Sequence, residues 1–177
     1  YIEEWGMSQY ARDCRIAMIY EGTNGIQALD LVGRKLATDG GKHMREYLNL
    51  IQSFIKEEHA EDFNTDFIAP LKKSIEHLQT ALMFFMQNGL KNPLSAVSGA
   101  TDFLHLVGLV SLGFIWSKKA QSARELLRNS HTNKDFLEAK ILTGSYFMHR
   151  QLPETKLRLD KILTGEKQVM SLATDQF

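Results

Sequence analysis

Cysteine is nearly absent: Cys14 is the only one in 177 residues, so no internal disulfide can form and a reducing compartment, the cytoplasm, is expected. Proline occurs at positions 70, 93 and 153 only, which leaves long stretches without a helix breaker. Neither sign of charge is in excess. Lysine plus arginine number 21, as do aspartate plus glutamate, so broad capture of nucleic acid or of an anionic membrane is not expected. No basic-then-apolar leader precedes the first element, so no signal peptide is expected. Residue 1 is tyrosine, and a processed or excised piece of a longer protein is the expectation. The most apolar run, 103–116, contains His105 and ends at Lys118 and Lys119. It falls short of the roughly 20 residues a membrane span needs, and a buried core helix is expected instead. The six histidines, His43, His59, His77, His105, His131 and His149, never lie three or four residues apart, so no helical metal pair and no metal site are expected.

What the chain has in quantity is helical periodicity. At 44% hydrophobic and 24% charged it carries enough apolar residues for a domain with a core. Alternating β-branched runs are scarce, so an all-α fold is expected. Ser8 is placed to N-cap a helix over 8–18, and a second helix is expected over 24–37. Asp39, Gly40 and Gly41 then break the pattern and mark a boundary between a unit of residues 1–38 and one of residues 42–177. The second unit reads as an antiparallel helical bundle with helices over 42–58, 63–87, 93–127, 133–150 and 153–163. Pro70 should start or kink the second of these, Asn88-Gly89 should cap its end, and Thr164-Gly165 should stop the last. Gly99, Gly108 and Gly113 each cost about 1 kcal/mol inside a helix, which predicts close approach of neighbouring helices there. His105 is expected in the core with a polar partner. The phenylalanines and methionines, at helical spacing, are expected in the core as well.

Residues 18–27 read M-I-Y-E-G-T-N-G-I-Q. Apolar Met18, Ile19 and Tyr20 lead into one carboxylate, Glu21, and a helix opens just behind it. A poorly solvated carboxylate has a raised pKa and becomes a competent base near neutral pH. Gly22 lets a ligand approach the backbone, and the first helical turn after Thr23 presents N–H groups to an anionic or electron-rich group. The plain alternative is a solvated helix–helix turn, and physics alone favours it. Arg12, Asp13 and Arg15 are expected to form an ion-pair set on the preceding helix, with Cys14 a bystander.

The stretch R-D-C-R-I-A-M-I-Y-E-G-T-N-G-I-Q, Arg12 to Gln27, resembles the acyl-CoA dehydrogenase signature R-D-x-R/K-I-x-x-I-Y-E-G-T-x-x-I-Q, matching almost throughout its sixteen positions. The resemblance implies a FAD-dependent flavoprotein that oxidises an acyl-CoA thioester to the 2,3-enoyl-CoA. It implies Glu21 as the catalytic base for the α proton, with FAD accepting the β hydride. It also implies Tyr20 and Gly22 at the substrate, and Thr23, Asn24 and Gly25 against FAD. Residues 1–38 would then be the last helices of that family's C-terminal four-helix domain.

Further along, D-F-L-H-L-V-G-L-V-S-L-G-F-I-W at 102–116, K-I-L-T-G-S-Y-F-M-H-R-Q-L-P at 140–153 and the tail V-M-S-L-A-T-D-Q-F at 169–177 are similar to the C-terminal helical extension of large bacterial members, the 3-methylmercaptopropionyl-CoA dehydrogenase-like group. Electron-transfer flavoprotein as acceptor and a homo-oligomeric state are further implications. The chain alone would be inactive, lacking a flavin-binding domain. Two alternatives stand beside this reading: a helical oligomerisation module without catalysis, and a DNA-binding relative of the dehydrogenases, which the neutral charge disfavours.

Overall fold

The computed structural model describes residues 2–20, 23–58, 61–89, 91–129, 133–169 and 171–176, and among them every regular element is helical. After a 3-10 turn at Glu3–Trp5, helix α1 spans Ser8–Ile19. The next helix is continuous in three pieces: α2 (Thr23–Asp30), a π-helical turn (Leu31–Lys35) and α3 (Leu36–Thr38). Helix α4 is Lys42–Glu57. A second three-piece helix follows, from α5 (Glu61–Phe63) through a π turn (Asn64–Ile68) into α6 (Ala69–Asn88). Helix α7 runs Pro93–Asn129, α8 Lys134–Arg150 and α9 Glu154–Thr164.

Pro70 lies in the first turn of α6, directly after the π turn. Proline has no N–H to give to a carbonyl four residues back, and the wider turn is placed where that ladder would fail. Asp39 organises the break before α4. Its carboxylate accepts backbone N–H bonds from Gly41, Lys42 and His43 and an imidazole contact from His43, while Gly40 and Gly41 take left-handed φ of 61° and 77°. These bonds, the His43 backbone N–H foremost, hold the Asp39 pKa down at about 2. Gly165, at φ 68°, ends α9 as expected, and Glu166 beyond it accepts hydrogen bonds from Asn92 and Ser95 at the start of α7. The same bonds, Ser95 first, lower the Glu166 pKa.

The bundle is assembled around α7. Leu71 of α6 and Leu152 both meet Gly113, whereas Phe85 of α6 and Ile162 of α9 both meet Gly99, so α6 and α9 run opposite to α7. Gly144 of α8 lies against Phe67 and Trp116, and α8 also runs back along α7. Helix α4 runs with α7: Tyr47 donates to Ser111, the Phe54 and Phe114 rings meet edge-on at 5.4 Å, and Gln121 donates to Glu58. Ala28, Val32 and Leu36 of the N-terminal helix are buried in the same cluster as Phe85, Phe103 and Leu106.

Several expectations need correction. Ser8 is the first residue of α1, and its hydroxyl donates to Glu3 instead of capping the helix. Helix α6 ends at Asn88 with Gly89 as its C-cap, as expected, and Gly89 caps it in a right-handed conformation, its N–H donating to the Phe85 carbonyl. Gly108 has no neighbour within 4 Å of where a Cβ would stand, so close packing explains Gly99 and Gly113 but not Gly108. Gly144, not singled out in the sequence, is the tightest of the glycines inside the bundle helices, with the Phe67 ring at 2.9 Å. His105 is exposed. Six phenylalanines are buried, but Met148 alone among the described methionines is; Met7, Met83 and Met86 are exposed. An apolar chain end that flexible is tolerated at a surface, whereas rings fill the space between helices.

Two predictions follow from this packing. Gly144→Ala should lower stability by about 1–3 kcal/mol, because the buried Phe67 ring must move, while Gly108→Ala should raise it by about 0.4–1 kcal/mol; urea unfolding of both variants checks the contrast. Asp39→Asn should lower the denaturation midpoint at pH 7. A depressed carboxyl pKa contributes stability above the unfolded value, near 3.8, that is lost as pH falls through about 2. The gap between wild type and Asp39→Asn should therefore close over that interval.

Candidate functional site

The sequence-predicted site falls where α1 gives way to α2. Glu21 and Gly22 lie outside the described residues. Their flanks are held together: Thr23 N–H donates to the Tyr20 carbonyl at 3.4 Å, and the Thr23 hydroxyl donates to the same oxygen. Tyr20 N–H in turn closes α1 on the Ile16 carbonyl at 3.1 Å. Thr23 thus caps backwards onto the end of one helix while opening the next.

Asn24 and Gly25 are exposed in the first turn of α2, and a Cβ at Gly25 would meet nothing within 4 Å. The first N–H groups of a helix have no intrahelical acceptor, so this turn offers donors and open space on one side. That donor set suits a phosphate- or carbonyl-bearing group.

Apolar side chains stand uncovered at the turn and along α1. Tyr20 and Ile26 are each 65% exposed, and Trp5, Tyr10, Ile16 and Ile19 are exposed as well. Helix α1 buries only Ser8 among its described side chains. The charged residues there do not pair as expected: Arg12 bonds Glu3 and Gln9, and Asp13 accepts from Gln9 at 2.7 Å. Cys14 is free and exposed.

Two cavities lie away from this turn. One, of about 420 Å³, is an apolar groove between the α2–α3 helix and the junction of α6 with α7, lined by Leu29, Val32, Leu36, Phe85, Met86 and Val97 among others. The other, of about 410 Å³, opens between α6, the end of α8 and the start of α9. Its lining includes Ser74 and Thr155, each 1% exposed, together with His77, Lys73, Lys156 and His149. The sequence held a signal for it: Ser74 sits at a core position between Leu71 and Leu78, where an apolar residue belongs. Among the described residues no group of three metal-ligating side chains comes together. One helix, α7, is long and apolar enough to cross a membrane by length and composition, and 39% of its most apolar window is buried within the bundle.

The sequence family described as acetyl-CoA dehydrogenase C-terminal like matches residues 47–173. This chain belongs to that family. The match runs from within α4 through α9 and does not include the turn at 20–25. Over 168 residues, 94% of its length, the chain is 33% identical to the 3-methylmercaptopropionyl-CoA dehydrogenase of Ruegeria pomeroyi. It is 26% identical over 180 residues to the broad-specificity linear acyl-CoA dehydrogenase FadE5 of Mycobacterium tuberculosis, and 26% identical over 157 residues to a butyryl-CoA dehydrogenase of Syntrophomonas wolfei. It spans 28%, 30% and 26% of the lengths of these three relatives. The family assignment and the all-α architecture agree with what the sequence led us to expect.

Because α1 packs so little of its surface, Cys14 should react with a maleimide in the native chain at nearly the rate seen in urea. Strong protection of the thiol in the native chain, read by mass spectrometry, would contradict the exposed α1.

Proposed function

We propose that this chain is the C-terminal part of a FAD-dependent acyl-CoA dehydrogenase, in which Glu21 removes the α proton of an acyl-CoA thioester to give the 2,3-enoyl-CoA. The observation that carries this reading is the frame around Glu21: an apolar approach ending at Tyr20, and a helix opening at Thr23 with exposed Asn24 and Gly25. The relatives named as acyl-CoA dehydrogenases support it from outside the chain.

The chain's own residues have distinct tasks. Ile16, Ile19 and Tyr20 are apolar; once covered by the rest of the protein they strip water from Glu21 and raise its proton affinity towards neutral pH. Tyr20 and Gly22 line the path of the acyl group. The Glu21 backbone N–H donates to the thioester carbonyl, where negative charge grows as the α proton leaves, so base and oxyanion donor belong to one residue. Thr23, Asn24 and Gly25 hold the cofactor through the open first turn of α2. FAD supplies the acceptor for the hydride leaving the β carbon.

Residues 1–38 form the end of the catalytic helical domain and 42–177 the appended bundle. Electron-transfer flavoprotein is the acceptor, the protein is a cytoplasmic homo-oligomer, and the chain by itself is inactive. A second reading, a helical oligomerisation module, is favoured by the uncovered apolar face of α1; sedimentation of the chain and of the longer protein separates the two, since a chain that stays monomeric while the longer protein assembles counts against the module.

The test uses the full-length protein, mixed anaerobically with a panel of acyl-CoA thioesters while flavin absorbance is followed. Wild type should bleach with at least one thioester, and Glu21→Gln should bind it but bleach about 10²–10⁴-fold more slowly. Equal bleaching in both proteins would place the base elsewhere.

A further inference from the structure

The cleft between α6, α8 and α9 has no part in the reaction proposed above. We propose that it is a binding site for a phosphate-class oxyanion, free as inorganic phosphate or carried by a phosphomonoester. Its floor is polar in a place where a helical bundle is ordinarily apolar: Ser74 and Thr155 are each 1% exposed, and His77 lies beside them. Its rim carries Lys73, Lys156 and His149, and no carboxylate lines it. Carboxylates stand behind the rim, with Asp160 on Lys156 at 2.5 Å and Asp66 on His149 at 3.4 Å. They hold the Lys156 and His149 side chains, and neither carboxylate lines the cavity.

The hydrogen bonds on the floor define what His77 offers. Thr155 Oγ1 donates to the Leu152 carbonyl at 2.8 Å, so its remaining capacity towards His77 Nδ1, 3.0 Å away, is as an acceptor. Nδ1 therefore carries the hydrogen in the neutral ring, and Nε2 keeps a lone pair. Burial depresses the His77 pKa, and the neighbouring Lys73 and Lys156 depress it further, against the opposing pull of Glu76 on α6 and Asp160 on α9. Two ammonium groups on two different helices thus act on one imidazole.

An oxyanion placed between them cancels that repulsion, returns a proton to Nε2 and gains a third cationic donor. Anion binding and His77 protonation are linked, so binding strengthens as pH falls through the His77 pKa, and binding raises that pKa. Ser74 and Thr155 give their hydroxyl hydrogens to the Leu71 and Leu152 carbonyls, so the imidazole and the ammonium groups around about 410 Å³ are the donors for a phosphate with a modest organic group attached.

The experiment follows the His77 ring resonance of the 177-residue chain by NMR, titrating inorganic phosphate and, separately, adenosine monophosphate at several pH values. A saturable shift with a raised His77 pKa is expected, and Lys73→Gln/Lys156→Gln should weaken binding about tenfold or more. Both lysines are exposed, so the double variant should keep its circular dichroism, and Lys72→Gln, outside the lining, should bind as wild type does. Equal response to the two probes identifies the phosphate group as the whole determinant; saturation with the nucleotide alone identifies a larger phosphomonoester, and either supports the site. No saturable shift with either probe at millimolar concentration overturns the proposal. So does a shift that persists unchanged in a folded double variant, or an arginine pair at 73 and 156 that fails to restore binding in a folded protein.

Discussion

A helix of 37 residues with apolar groups around much of its circumference has to be covered on several sides at once, and α7 sets that demand for the whole bundle. The bundle meets it by narrowing α7 at two levels. Gly113 receives Leu71 of α6 and Leu152 of the α8–α9 turn, and Gly99 receives Phe85 of α6 and Ile162 of α9. Every other placement follows from this: α6 and α9 run side by side against α7, α8 returns along its far end, and α4 covers the flank that carries Ser111 and Phe114. The cost of glycine in a helix is offset by dispersion contacts that a Cβ would have pushed apart.

Much of this was legible in the sequence, because helix periodicity survives the loss of everything else. The bounds of α4, α7, α8 and α9 fall within two residues of expectation, since prolines and glycines punctuate them. The misreadings have a common origin. Gly144 and Gly108 look alike in a sequence, and only the Phe67 ring distinguishes them. His105 lies in an apolar run but faces outward, because a helix this long still leaves one stripe to solvent. The π turns were equally invisible: one precedes Pro70, which gave at most a hint of a kink, and the other, at Leu31–Lys35, has no marker at all.

The candidate site was legible in a different way. Glu21 was found through a local pattern of sixteen residues, and spacing alone left it an ordinary turn acid. The described flanks supply a short, hydrogen-bonded reversal at Tyr20 and Thr23 and an open first turn of α2. The oxyanion cleft was missed because its parts come from positions 73–77 and 149–156, which no local pattern joins.

The continuity of the helix from Thr23 to Thr38 carries one further consequence. It is clamped by Ala28, Val32 and Leu36 in the core, while its first residue, Thr23, is the one that follows the candidate turn. The helix is therefore a rod set in masonry at one end and bearing the candidate turn at the other. Its pitch and height are decided by how it packs on α7, whose residues 93–129 lie far along the chain. Repacking that distant wall would tilt the candidate turn without changing any residue within it.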